Sequence, residues 1–211
     1  MTFATFGDLK NRVLADTLRT DQAFGLEIPG FMQLAEQRMF YGDETGPDRV
    51  TSRVRVRDME TSETRGFVAG AASLPDRFLE PLALIWGRSQ PSYATPEQFW
   101  VERSGTSPEP QLYTIEGSIL RVWPALDGDA RLVFVRRPLP LVADADTNWI
   151  LTNAPGVYFH AVMIEAWRHL RNTQKQQEAA TAYQASVAGL NRTETRARLV
   201  PTSMQLRSAF A

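Results

Sequence analysis

Cysteine is absent from the 211 residues. That removes cysteine nucleophiles, dithiol redox pairs, iron–sulfur ligands and any disulfide framework together. Histidine is nearly absent: His160 and His169 are the two in the chain, too few for a His-rich metal centre. No apolar run approaches the roughly 18 residues of a membrane span. The opening Met1-Thr2-Phe3-Ala4-Thr5-Phe6 has neither the basic region nor the apolar core of a signal peptide, so a cytosolic product with no membrane partner is expected. Lysine is scarce as well, with Lys10 and Lys175 standing against arginine at every other position among 23 basic residues. A GC-rich genome accounts for such a bias. So does a role in assembly, because arginine makes planar bidentate contacts and is the usual cation of interfaces. An excess of one charge sign is also lacking: the formal net charge is −1, and the whole molecule is no polyanion binder.

What is present is globular composition, 43% hydrophobic and 22% charged. A 23.7 kDa chain that folds compactly buries about 70% of its unfolded surface, so it needs neither a disulfide nor a structural metal. Thr5 and Asp8 have the spacing of a capping box, and Phe6, Leu9, Val13 and Leu18 follow at helical intervals. Gly25 and Ile28-Pro29-Gly30 read as the end of that unit. A second helix is expected from about Pro29 to Tyr41, with Phe31, Leu34, Ala35 and Met39 inward and Pro29 at its first position. Gly42 to Arg49 is polar and rich in breakers, and reads as a loop. Arg49, Arg53, Arg55 and Arg57 then alternate around Val54 and Val56. This suggests a strand with one arginine face, a continued helix being the alternative. The face is either simply solvated or a basic rim toward an acidic neighbour or phosphate.

The middle third reads as β. Candidate strands are Phe67 to Leu74, Leu82 to Trp86, Leu112 to Glu116, Ser118 to Trp123 and Ala130 to Arg137. Turn signals at Glu116-Gly117 and Asp127-Gly128-Asp129 suggest that the last three form a meander. Thr95-Pro96-Glu97-Gln98 is a helix start, with Phe99 and Trp100 as anchors on the sheet. The last third returns to helix. One run opens at Asn153-Ala154-Pro155 and carries Val157, Ala161, Ile164 and the Trp167/Arg168 turn. A second, from Thr173 to about Leu190, sets Ala179, Ala182, Tyr183, Ser186 and Leu190 on one side, small enough for close approach of another helix. Beyond Asn191 the chain turns polar and arginine-rich, and Pro201 is expected to block a continuous helix. The fold class expected is α+β. A helical bundle is built from 1–41 and 153–190, a β-rich antiparallel insertion spans 50–140, and an extended C-terminal arm covers 191–211.

Catalytic motifs are missing. There is no GxGxxG, Walker A loop, GxSxG elbow or HExxH. Asp144-Ala145-Asp146-Thr147-Asn148 imitates an EF-hand start, but Trp149 replaces the needed glycine and Pro155 the closing glutamate. It reads as a polar turn, with Thr152 or Asn153 capping the next helix. Glu165 and His169, four apart, read as a pair on a helix surface. The Asn191-Arg192-Thr193 sequon matters only in a secretory context. The arginines at 49–57 are surrounded by Asp43, Glu44, Asp48, Asp58, Glu60 and Glu63, a compensated cluster and a poor nucleic-acid footprint. No enzyme, cofactor or metal is expected.

Several stretches occur in a telling order. Ile28-Pro29-Gly30-Phe31, Leu34-Ala35-Glu36-Gln37-Arg38 and Asp58-Met59-Glu60 are followed by Leu74-Pro75-Asp76-Arg77-Phe78-Leu79-Glu80 and Thr95-Pro96-Glu97-Gln98-Phe99. Tyr113-Thr114-Ile115-Glu116-Gly117, Arg136-Arg137-Pro138 and Thr147-Asn148-Trp149-Ile150-Leu151-Thr152-Asn153-Ala154-Pro155 complete the series. From about residue 28 to 190 the chain resembles the head-to-tail adaptor (connector) proteins of tailed bacteriophages, especially short-tailed ones. It departs from them at Phe40 to Arg49, an enlarged polar loop.

The resemblance implies a virion structural protein at the neck between capsid and tail, with host cytoplasm as the place of assembly. It implies a ring, normally of twelve subunits, under the portal protein. The ring continues the DNA channel, carries double-stranded DNA without sequence specificity, and offers a platform for tail or nozzle proteins. A tail-completion or terminator protein, or an accessory nucleic-acid-binding protein outside the virion, are the alternatives. On this basis Arg49, Arg53, Arg55, Arg57, Ala179, Ala182 and Tyr183 are expected at subunit interfaces. Arg192, Arg196, Arg198, Leu199, Val200, Met204, Leu206 and Phe210 are expected in a portal-binding arm.

Overall fold

A computed structural model describes residues 3–42, 53–102 and 107–208, the last twelve of these by backbone alone. The chain divides into two compact units, Met1–Arg57 with Pro138–Ala211, and Asp58–Arg137. The first is helical and the second is built on two sheets, so the fold is α+β.

In the helical unit, α1 (Phe6–Thr17) starts with the capping box its sequence predicts: the Thr5 side chain accepts from the Asp8 amide and the Asp8 carboxylate accepts from the Thr5 amide. Phe6, Leu9 and Val13 are fully buried. Leu18, expected on the same stripe, is the left-handed cap residue and is 88% exposed. The second helix departs further from expectation. Rather than starting at Pro29, α2 runs Gln22–Tyr41 with Pro29 inside it and Asp21 as its cap. Proline forfeits one backbone bond, to the carbonyl four residues back. Here that residue is half-buried Gly25, and Pro29 lies on the exposed side of the helix. Leu34, expected inward, is 48% exposed. The inner stripe is Phe24, Ile28, Phe31, Ala35 and Arg38, all buried.

The run that imitates a calcium loop is a docking turn. Backbone carbonyls of Asp146 and Asp144 accept from the Phe6 and Gly7 amides at 2.8 and 2.9 Å, satisfying the first turn of α1. The Asp146 carboxylate accepts from the Ala143 and Val142 amides, which hold its carboxyl below the ordinary range. Asn148, rather than Thr152 or Asn153, caps the short α4 (Trp149–Asn153); α5 (Pro155–His169) begins without a side-chain cap. Ten of the fifteen residues of α5 are buried, the mark of a central helix. Against it pack α1, α2, α4 and α6.

The last helix, α6, spans Thr173–Ser208. It continues through Asn191 and Pro201, where an extended arm is expected from the sequence. The segment is rich in good helix formers, and the one bond lost at Pro201 does not end the helix.

In the β unit, β1 (Glu60–Phe67), β3 (Phe78–Ile85) and β7 (Gly128–Arg136) form one sheet in the order β1-β7-β3. The other has the order β2-β6-β5-β4, from β2 (Ala71–Ser73), β6 (Ile119–Trp123), β5 (Leu112–Glu116) and β4 (Ser92–Tyr93). The strand expected from Phe67 to Leu74 is broken by a turn at Val68–Ala71, with Ala69 at φ 50° and Gly70 at φ 72°. Glycine is required at position 70 twice over, since a Cβ there would lie 2.6 Å from the Ala125 Cα. The expected meander fails at its last step: β5 and β6 pair, but β7 pairs with β1 and β3. Pro124 cannot donate to a ladder, so β6 ends at Trp123, and the Asp127 carboxylate takes the Ala69 amide. Phe67, Leu84, Leu132 and Phe134 of one sheet share a core with Tyr113, Leu120 and Val122 of the other. The short helix α3 (Pro96–Val101) carries the expected Thr95/Gln98 capping box. Phe99 anchors it; Trp100 stays 46% exposed.

Glu165 is 3% exposed and receives the Arg38 guanidinium at 2.6 Å and that of Arg168 at 3.1 Å. Losing one partner of a buried pair strands the other charge. Arg38→Met is therefore expected to cost about 3 kcal/mol in urea denaturation, whereas Arg38→Met with Glu165→Met recovers most of that loss.

Candidate functional site

The arginine segment is the feature the sequence marks most strongly, and its structure is local. Arg49 lies outside the described residues. Residues 53–56 form neither the expected strand nor a helix, and Arg57–Met59 is a single 3-10 turn. The alternation survives without a sheet: Val54 and Val56 are buried, while Arg53 and Arg55 are half-buried. The Val54 amide donates to the Met39 carbonyl at 2.9 Å. Arg53 Nε donates to the Tyr41 carbonyl at 2.9 Å, and Arg55 Nη2 to the Phe40 carbonyl at 3.2 Å. Both guanidinium groups thus sit on the negative end of α2, where its last carbonyls lack helical partners.

The other side of this strap is held by α6. Asn191 accepts from the Arg55 amide at 3.3 Å and donates to the Arg53 carbonyl at 2.8 Å, so its side-chain amide does what a neighbouring strand does. Glu194 accepts from the Arg57 amide at 3.0 Å and pairs with the Arg57 guanidinium at 3.4 Å. Arg53, Arg55 and Arg57 each have hydrogen-bond partners within their own chain. Neither Asn191 nor Glu194 carries a local sequence signal for this, because the partner segment is far away along the chain.

Ala179 and Tyr183 are buried on the side of α6 that meets α5, together with Val187, which the sequence reading passes over. Ala182 and Ser186 are half-buried. Gly156 lies opposite Ser186: a Cβ there would lie 3.6 Å from the Ser186 hydroxyl. Beside this contact, the end of α1, one face of α5 and the start of α6 enclose an open groove of about 560 Å³. Phe159, Met163 and Trp167 line it from α5, with Ala179 and Ala182 from α6 and exposed Leu18 from the cap of α1. His160 also faces it, and burial holds its imidazole below the ordinary value, so it is neutral at neutral pH. Lys175 stands 4.4 Å from the Trp167 ring centroid.

Glu165 and His169 are not a surface pair. Glu165 is the buried partner of Arg38, and His169 packs on Phe24 and Phe31 at ring distances of 5.9 and 5.3 Å. The sequence signal missed here is a charge on an apolar stripe, for Arg38 shares one with Phe31 and Ala35. In the β unit, Glu116 takes both the Trp100 indole and Arg121, the latter at 2.8 Å, and Glu63 pairs with Arg136. Among the described residues no group of three or more His, Asp or Glu side chains is placed to hold a metal ion, and no helix is long and apolar enough to cross a membrane.

Of the residues expected in a portal-binding arm, Arg192 and Arg196 are exposed on α6. Arg198, Leu199, Val200, Met204 and Leu206 lie on the same helix, described by backbone alone, and Phe210 lies outside the described residues.

If the Asn191 amide stands in for a strand, removing it frees the strap. Asn191→Ala is expected to cost roughly 1–2 kcal/mol and to speed hydrogen exchange at the Arg55 amide, with amides in α1 unchanged. Unchanged exchange at Arg55 contradicts this account.

A comparison with protein families matches the SU10 adaptor protein over residues 4–206. A comparison with curated proteins gives no match.

Proposed function

The chain belongs to the SU10 adaptor protein family, and from that membership we propose that it is a head-to-tail adaptor forming a ring, of twelve subunits in our reading, beneath the portal of a filled phage head. The carrying observation is the extent of the family match, which runs through both compact units and most of α6. In this reading the protein is a virion component of the neck, assembled in the host cytoplasm. We read it as a structural component and not an enzyme, as the adaptor family suggests; Glu165 is taken up in ion pairing and His169 packs on Phe24 and Phe31. Double-stranded DNA passes through the ring without sequence recognition.

The proposed subunit contacts run through the rim at Arg49, Arg53, Arg55 and Arg57 and through half-buried Ala182 on α6; Ala179 and Tyr183, grouped with it in the sequence, are taken up against α5 of their own chain. Arginines already held on backbone carbonyls and carboxylates of their own chain are less free to grip phosphates, which suits a channel that must release DNA. The portal contact is assigned to the stretch from Arg192 to Phe210, whose arginines and apolar residues a partner can pair and bury. Tail or nozzle proteins take the opposite side of the ring.

Antibody labelling of particles tests the role directly: label at the neck is expected, and particles unlabelled there refute it. Two further outcomes follow. Alone at low micromolar concentration the protein is expected to sediment as a monomer, its ring depending on the portal as template. A stable twelve-subunit species without portal contradicts that dependence. Deleting residues 199–211 is expected to leave a folded, soluble protein whose portal affinity falls at least tenfold at matched salt; wild-type affinity in the truncation removes the arm from the portal contact.

A further inference from the structure

The last helix is much longer than the one that supports it. α6 has 36 residues against 15 in α5, and α5 is the element it mainly packs on. The contact runs from Lys175 beside Trp167, through buried Ala179, Tyr183 and Val187, to Ser186 opposite Gly156. Gly156 is the second residue of α5. From about Val187 onward α6 therefore outruns α5.

Beyond that point two side chains of α6 still turn inward. Asn191 and Glu194 are half-buried, whereas Arg192, Thr193, Thr195 and Arg196 are exposed. Both inward groups are polar, and what they meet is the strap at 53–57. Asn191 makes two hydrogen bonds to the strap backbone, and Glu194 takes the Arg57 amide and guanidinium. The Glu194 side chain is 13% exposed and that of Arg57 55%. An ion pair with an exposed arginine contributes little, so the bond to the Arg57 amide is the firmer hold. The strap is fixed in turn on the last turn of α2, at Met39, Phe40 and Tyr41. Arg38 and Glu165 set the register of α2 on α5. A chain of directed contacts thus runs from the core to the point where α6 leaves it.

Asparagine is a poor residue for a helix interior, so its place at 191 answers to the strap and not to α6. The length beyond it gives the brace its leverage. From Asn191 to Ser208, at about 1.5 Å per residue, is about 25 Å of helix. A swing of about 10° at the base moves the far end by about 4 Å, more than a hydrogen bond tolerates. The bond forfeited at Pro201, to the carbonyl of Ala197, falls one turn past Glu194, so the helix is held up to where it is weakest. We propose that Asn191 and Glu194 are positioning residues for the portal contact, forming with the strap a brace that aims the free end of α6. The inference rests on the portal reading above and adds what sets the direction of that contact.

Alanine removes the brace without harming the helix, being the best helix former. Asn191→Ala with Glu194→Ala in the full-length chain is expected to weaken binding to purified portal about tenfold or more. Val13→Ala, a buried change in α1, is expected to lower the melting temperature and keep the affinity. Affinity that falls equally in both variants makes the loss one of stability and overturns the proposal. Glu194→Gln keeps an acceptor for the Arg57 amide and is expected to stay within about threefold of the unsubstituted chain. The absence of cysteine allows a direct measure of aim. Spin labels on Asn11→Cys in α1 and Thr195→Cys in α6, both exposed positions, are expected to give one narrow distance by double electron–electron resonance. Adding the two alanines is expected to broaden it. A distance that stays narrow overturns the brace, and a broadened distance with unchanged affinity overturns its role in portal binding. No portal affinity in the unsubstituted chain overturns the portal reading itself, while the distances still decide the brace.

Discussion

The helical unit depends on a guanidinium and a carboxylate placed where water does not reach. Arg38 and Glu165 meet at 2.6 Å with side chains 9% and 3% exposed. Desolvating two charges costs several kcal/mol per ion, and their attraction repays it only in good geometry. The pair is thus a weak source of net stability and a strong penalty on every other register of α2 against α5. A slip of one turn would break this pair and leave Glu165 to Arg168 of its own helix. The neighbouring contacts lie along the same seam: His169 on Phe24 and Phe31 at one end, and the Tyr158 hydroxyl between Glu36 and Asn148 at the other. Burial raises the Tyr158 hydroxyl well above its ordinary value, so it stays protonated and can donate to Glu36.

With that seam fixed, much of the remaining geometry follows. Asn148 serves both as the cap of α4 and as donor to Tyr158, so the turn before it is placed, and that turn in turn satisfies the first amides of α1. The end of α2 is where its C-terminal carbonyls accept Arg53 and Arg55. The strap that carries these arginines is fixed from its other side by Asn191 and Glu194. Polar side chains thereby do structural work that composition assigns to a surface.

Local chemistry was legible and long-range pairing was not. The two capping boxes could be read from three-residue spacings because the partners are neighbours in the chain. The α+β class followed from where apolar periodicity changes from helical to alternating. Pro29 and Pro201 misled for one physical reason: proline removes one bond from a helix, and a helix held elsewhere absorbs the loss. The strand at Glu60–Phe67 was missed because Glu-Thr-Ser-Glu-Thr-Arg is polar; β7, paired with it over all eight residues, supplies the apolar side of the sheet. Arg53 to Arg57 looked like a strand because its burial does alternate, yet the hydrogen bonds that define a strand are made with side chains and helix carbonyls. Glu165 and His169 looked like a surface pair because their four-residue spacing says nothing about what faces them. Arg38, on the inner stripe of α2, was the missing clue.

Assembly asks something different of the same surfaces. In the proposed ring, a subunit contact well below the roughly 800 Å² per partner of a stable interface is enough. Small contacts hold poorly in pairs and well in closed sets, because a subunit in a ring is held on two sides and the last joint forms within one assembly. A template that gathers subunits raises their effective concentration before any ring exists. The net charge of −1 fits that logic, since copies with little net charge do not repel one another as they crowd onto a template. A larger, more apolar contact would hold free subunits together in solution, and open chains of head-to-tail copies would then compete with the proposed ring. In the proposed ring, modest contacts on a rigid subunit therefore favour closure on a template over uncontrolled growth.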